Sequence, residues 1–139
     1  MDIMKIESRF SPKSFDYVLC SDVIEHLLKE DGRRLIKSMQ LIARKKLIVY
    51  TPNGYFPQNE KEGNEYQIHR SGWTVPDMKE MGFDHMLGLH GLKILCKRYP
   101  EPLFKPYFVS RGLSSLTQPI VLRNPKLAFQ LLCVKEINC

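Results

Sequence analysis

No apolar run in the 139 residues approaches the ~20 that a membrane span needs. The opening "MDIMKIESRF" carries no apolar core of the kind a secretory leader has. Together these absences set the expectation of a cytoplasmic protein. Glycine is not clustered: the eight glycines are dispersed, no G-x-G-x-G occurs, and the nearest approach is "GLHG" at 88–91. A glycine loop lets backbone N–H groups approach a ligand without interference from a Cβ, and no segment here offers one. The four cysteines (Cys20, Cys96, Cys133, Cys139) form no CxxC pair and no ligand-like spacing, which disfavours a zinc site or a disulfide framework. Cys20 and Cys133 sit inside apolar runs, where a thiol behaves as a small buried hydrophobe. Internal repeats and low-complexity tracts are also missing.

What is present is the composition of an ordinary globular domain, 43% hydrophobic and 26% charged, long enough for one domain with a sizeable core. The formal net charge of +6 permits contact with anions. Its carriers are scattered, however. Arg33, Arg34, Lys37, Arg44, Lys45 and Lys46 lie on and after one helical pattern and read as its solvated face. Nucleic-acid binding is therefore not expected as the main function.

"FDYVLC", Phe15 to Cys20, is β-prone and ends in Ser21-Asp22. Asp22 is then an N-cap candidate for a short helix through Leu28, with Glu25 as its capping-box partner. A second helical pattern follows, with Leu35, Ile36, Met39, Ile42 and Ala43 on one face. Leu47 to Tyr50 form an unalternating apolar run, as in a strand covered on both faces, and "TPNG" ends it. Strand, helix and strand at this spacing make a βαβ unit and hence a parallel sheet.

Residues 55–72 read as a long polar loop. "GWTVPDMKEMGF" predicts a helix capped by Thr74, with Pro76 in its first turn and Gly82 as its stop. A strand is expected around His85 to Leu89. Residues 99–125 carry five prolines (Pro100, Pro102, Pro106, Pro119, Pro125) and read as an irregular excursion with at most one short helix. "KLAFQLLCVKE" closes the chain as a buried strand.

In this order, four segments resemble the class I S-adenosylmethionine-dependent methyltransferases, type 11-like. "DIMKIESRFSPKSFDYVLCSDVIEHL" is similar to their adenine loop, fourth strand and helix. "KKLIVYTPNGYFPQ" resembles the fifth strand and its loop, "GNEYQIHRSGWTVPDMKEMGF" the H-x-S-x-W-T segment with its helix, and "PKLAFQLLCVKE" the final antiparallel strand. The resemblance implies one α/β domain over residues 1–139, a partial Rossmann-like sheet with strands equivalent to 4-5-7-6 and flanking helices. It also implies that the chain holds the C-terminal two-thirds of the fold, without the first three strands and the Gly-rich loop. The Phe15–Cys20 strand would then be a sheet edge. An open edge invites pairing, so a homodimer, or a separate partner carrying the N-terminal half, is expected there.

The resemblance further implies S-adenosylmethionine as cofactor, with Asp2 on the adenine amino group, Ile3 beside it, and Cys20, Ser21 and Asp22 along the strand end. The function implied is methyl transfer to an unknown acceptor, a small molecule or saccharide favoured, with Asp22, His26 or His69 as the base. The bland readings are a frayed terminus for Asp2 and a helix cap for Asp22. The small-RNA 2′-O-methyltransferases carry a similar "E-x-x-E-H" with a later "H-x-x-x-W". On that likeness Asp22, Glu25, His26 and His69 would bind a divalent metal; against it, an "EH" here also serves only to fix helix and loop. The reading from another class is a non-catalytic remnant acting as an interaction or regulatory subunit. Tyr55, Phe56, Tyr66 and Trp73 read either as the lining of a substrate pocket or, more commonly for aromatics flanking a loop, as its anchors, and Trp73 also as core.

Overall fold

Strict alternation organises the first strand, β1 (Phe15–Ser21): Cys20 is buried and Val18 packs on the core, while Phe15, Tyr17 and Leu19 are turned outward. The structure is a computed structural model and describes residues 2–60, 62–98, 101–102 and 107–137. After β1 come a 3-10 turn (Ile24–His26), α1 (Lys29–Ile42) and β2 (Ala43–Pro52). Then follow α2 (Val75–Glu80), β3 (His85–Leu92), the short β4 (Cys96–Arg98) and β5 (Glu101–Pro102), α3 (Tyr107–Arg123) and β6 (Ala128–Glu136).

The main sheet has the order β1-β2-β6-β3, with β1 and β2 parallel and β6 antiparallel to both of its neighbours. Strands β1, β2 and β3 therefore run one way and the last strand is inserted against them. This is the 4-5-7-6 arrangement expected of the partial Rossmann-like methyltransferase sheet. β4 and β5 pair separately.

α1 covers one face of the sheet because its apolar residues recur at helical spacing: Gly32, Leu35, Ile36, Met39 and Ile42 are buried. They join Cys20, Leu47, Val49, Leu131 and Cys133 in one core, where each fully buried aliphatic side chain contributes roughly 1.5–3 kcal/mol. Gly32 sits in mid-helix for a packing reason. A Cβ there would collide with the ring of Trp73, itself fully buried. α2 starts as the sequence predicts. Thr74 and Asp77 form a reciprocal capping box, with Thr74 N donating to Asp77 Oδ2 at 2.8 Å. Gly82 ends it at φ +81°.

Two expectations are corrected. Asp22 caps no helix: it stands at φ +49° just before a 3-10 turn whose N-cap residue is Val23, with no side-chain cap. Glu25 is drawn away to Thr51, so no capping box forms. Within 99–125, residues 107–123 form a 17-residue helix rather than an irregular excursion, while the readings for 99–100 and 103–106 lie outside the described residues. Pro119 suggests a break because it forfeits one helical N–H. The helix persists because Thr117 and Gln118 tie it to the edge of β3: Gln118 Nε2 donates to Gly88 O at 2.9 Å and Gln118 Oε1 accepts from Gly91 N at 3.2 Å. Thr117 Oγ1 accepts from Leu92 N at 3.2 Å.

Candidate functional site

Asp22, Glu25, His26 and His69 meet at the carboxyl ends of β1 and β2, where open α/β sheets bind ligands. With Pro52, Gln58, Gln67 and Gln130 they line one cavity of about 280 Å³. The turn of Ile24–His26 brings the acid and the imidazole to the strand end. The loop after β2 returns over it because the carbonyl of Glu25 accepts from Arg70 N at 2.8 Å and Ser71 N at 3.1 Å. Ser71 Oγ donates to Ile24 O and accepts from Trp73 Nε1. The buried tryptophan therefore fixes the segment that carries His69.

The two imidazoles are held in defined orientations. His26 Nδ1 lies 3.2 Å from Ile68 O, and His69 Nδ1 lies 2.7 Å from Phe56 O. A carbonyl only accepts, so each neutral ring is fixed with its proton on Nδ1 and Nε2 as the basic nitrogen. The rings meet edge to face, centroids 4.8 Å apart.

Glu25 is buried and accepts from Thr51 Oγ1 at 3.1 Å. Burial, with the charge of Asp22 adding, pushes its carboxyl up to about 7, against the opposing hydrogen bonds from its own backbone and from Thr51. Glu25, His26 and His69 each offer one ligand atom, and these atoms lie within 4.8 Å of one another. Asp22 lines the same cavity outside that group, its Oδ1 accepting from Gln130 Nε2 at 3.3 Å and its Oδ2 from Ser21 Oγ at 3.1 Å. Tyr50 in turn donates to Gln130 Oε1.

Gln58, Gln67 and Gln130 escape a motif search. Gln130 had one signal, a lone amide inside the apolar run "LAFQLLC". Gln58 is buried and donates to Gln67 O at 2.8 Å, but its Oε1 has no hydrogen-bond partner among the described residues. An unpaired buried acceptor beside a cavity leaves a place for a donor or a cation.

The residues assigned to the cofactor by resemblance are not gathered in the same way. Asp2 is exposed and caps a 3-10 turn, its Oδ1 accepting from Met4 N at 2.9 Å. Ile3 packs on the core. Cys20 is 3% exposed and turned into the core, where burial pushes its thiol up to about 12. Only Ser21 and Asp22 stand exposed at the strand end. Of the five residues that the resemblance assigns to S-adenosylmethionine, two thus stand open at the carboxyl end of β1.

No protein-family profile and no curated protein matches the chain. Among solved structures, a SAM-dependent methyltransferase from Archaeoglobus fulgidus matches with a TM-score of 0.56 at 13% identity. The likeness is one of fold. It covers 98% of this chain and 65% of that one, so the chain spans about two-thirds of the neighbour's length. Among the described residues no helix is long and apolar enough to cross a membrane.

Proposed function

We propose that the chain forms the acceptor side of a methyl-transfer cleft, with the cavity of Asp22, Glu25, His26, His69 and Gln130 receiving the acceptor. The observation that carries this reading is the convergence of these groups, from three separate segments, at the carboxyl end of parallel strands in a methyltransferase-like sheet. When bound, S-adenosylmethionine would supply an electrophilic methyl. The chain's own residues would orient a hydroxyl or amine and take its proton: His69 Nε2 or His26 Nε2 as base, with Asp22 accepting a hydrogen bond. Neutral Glu25 would hold a proton at the buried end of the cavity. A cavity of 280 Å³ suits a small molecule or one sugar unit. The missing wall of the cleft would meet the exposed edge of β1, supplied by a second copy or another chain.

Calorimetric titration with S-adenosylmethionine and with its demethylated product tests the reading. Saturable binding of both, weakened by Asp22→Ala, is expected. No binding of either to the chain, alone or with a co-expressed partner, favours the non-catalytic interaction subunit.

A second reading is favoured by one specific observation, the unpaired Gln58 Oε1 beside the Glu25, His26 and His69 cluster. A carboxylate, two imidazoles and an amide oxygen suit Mn²⁺, Mg²⁺ or a similar ion. Loading would require Glu25 to lose its proton, so binding would strengthen as pH rises through about 7. Heat on adding Mn²⁺ to the wild type and none to His69→Ala supports a metal-assisted methyltransferase. No heat in either removes it.

A further inference from the structure

We propose that the outer face of α3 docks on an anionic membrane surface, the helix lying in the headgroup plane. This does not rest on the methyl-transfer reading. Amphipathic helices ordinarily turn apolar residues inward, and α3 does the reverse. Its sheet-facing side is small or polar: Ser110 is buried, Ser114 and Thr117 lie against Gly91, and Thr117 and Gln118 bond the backbone of β3. The apolar exceptions are Val121, packed at Gly88, and the half-buried Leu113.

The outward side carries Phe108 at 74% exposure, Leu116 at 77% and Ile120 at 52%, joined by Val109 and Leu122. Phe108, Leu116 and Ile120 fall within about one-third of the helix circumference at 100° per residue. The face cannot be buried by rotating the helix, because rotation would strip the β3 backbone of its Thr117 and Gln118 partners. The adjoining turns expose Ile94 and Leu127 as well.

Charge selects the occupant. Along α3 and the turn that follows it the sequence holds no acid, and every charge is cationic: Arg111, Arg123 and Lys126. An exposed apolar stripe in a stretch of chain with cations alone matches a bilayer interface of anionic lipid. It would not complement a second copy of the same cationic face.

The test is flotation of the whole chain with vesicles of phosphatidylcholine alone, and with vesicles about one-third phosphatidylglycerol. Binding to the mixed vesicles, weakening as salt rises, is expected, with little on the neutral ones. Leu116→Glu with Ile120→Glu should bind at least ~10-fold more weakly with its circular dichroism unchanged. Arg111→Glu with Arg123→Glu should do so without touching the apolar residues. Leu41→Glu, on the exposed side of α1, should bind as the wild type. Three outcomes overturn the proposal: no wild-type binding to the mixed vesicles, wild-type binding by both α3 variants, or loss of binding by Leu41→Glu. An α3 variant that turns a dimer into a monomer, with the wild type not binding vesicles, assigns the face to a second copy and overturns it too.

Discussion

Along β3 the sheet ends under a helix whose Thr117 and Gln118 side chains satisfy the strand's outward backbone. Along the outer edge of β1, at the other end of the same sheet, no strand among the described residues pairs, and Tyr17 and Leu19 are 60% and 64% exposed. The difference lies in what each edge can be coupled to. β3 contains Gly88 and Gly91, which let a helix backbone come against it, while β1 carries a side chain at every position. The closed edge contributes stability, and the open one offers a surface. The candidate site sits between them, at the carboxyl ends of β1 and β2.

The largest expected effect comes from prising the closed edge apart. A Cβ at Gly88 would meet the Val121 carbonyl and the Ala128 side chain, and backbone cannot step aside cheaply. Gly88→Val should cost about 3 kcal/mol in urea unfolding. Next is the buried acid between the edges. Folded Glu25 titrates near 7 and its ordinary value is 4.5. Between those values the folded chain binds the extra proton, so stability falls as pH rises from about 4.5 to about 7 and levels off above. The fall has a ceiling of roughly 3 kcal/mol, and Glu25→Gln should flatten it in melts run with a chelator.

Gln118→Ala leaves Gly88 O and Gly91 N of the closed edge without their partner and should cost about 1–3 kcal/mol in the same urea experiment. The smallest effect on folding belongs to the open edge. Leu19→Lys should change stability by within about 0.5 kcal/mol, since the side chain is already in water. It should nevertheless reduce self-association in sedimentation at micromolar concentration, because a charge on an edge strand opposes pairing.

Most of the closed architecture was legible in the sequence. The run at Leu47–Tyr50, the helical spacing from Leu35 to Ile42, the Thr74 cap and the last strand each carry a local periodic signal, and the sheet order followed from the resemblance. α3 was misread because its code is inverted: prolines at both margins and one inside, polar residues inward and apolar residues out. The turn at Asp22 was misread because Asp, three residues before Glu25, is also the sequence of a capping box; tertiary pull from Thr51, buried at the end of β2, decided the matter. At the site, Glu25, His26 and His69 were legible as chemistry. Gln58 and Gln130 were not, since an amide has no motif and Gln130 reaches Asp22 across 108 positions of chain.

The proposed cleft is tested most directly by amide NMR of the labelled chain titrated with the demethylated cofactor product. A saturable shift of Ser21, Asp22 and Val23 is expected, with a Kd of roughly 0.1–1 mM, the weak affinity of a site with one wall. Shifts confined to other regions, or none up to several times that concentration, would contradict it.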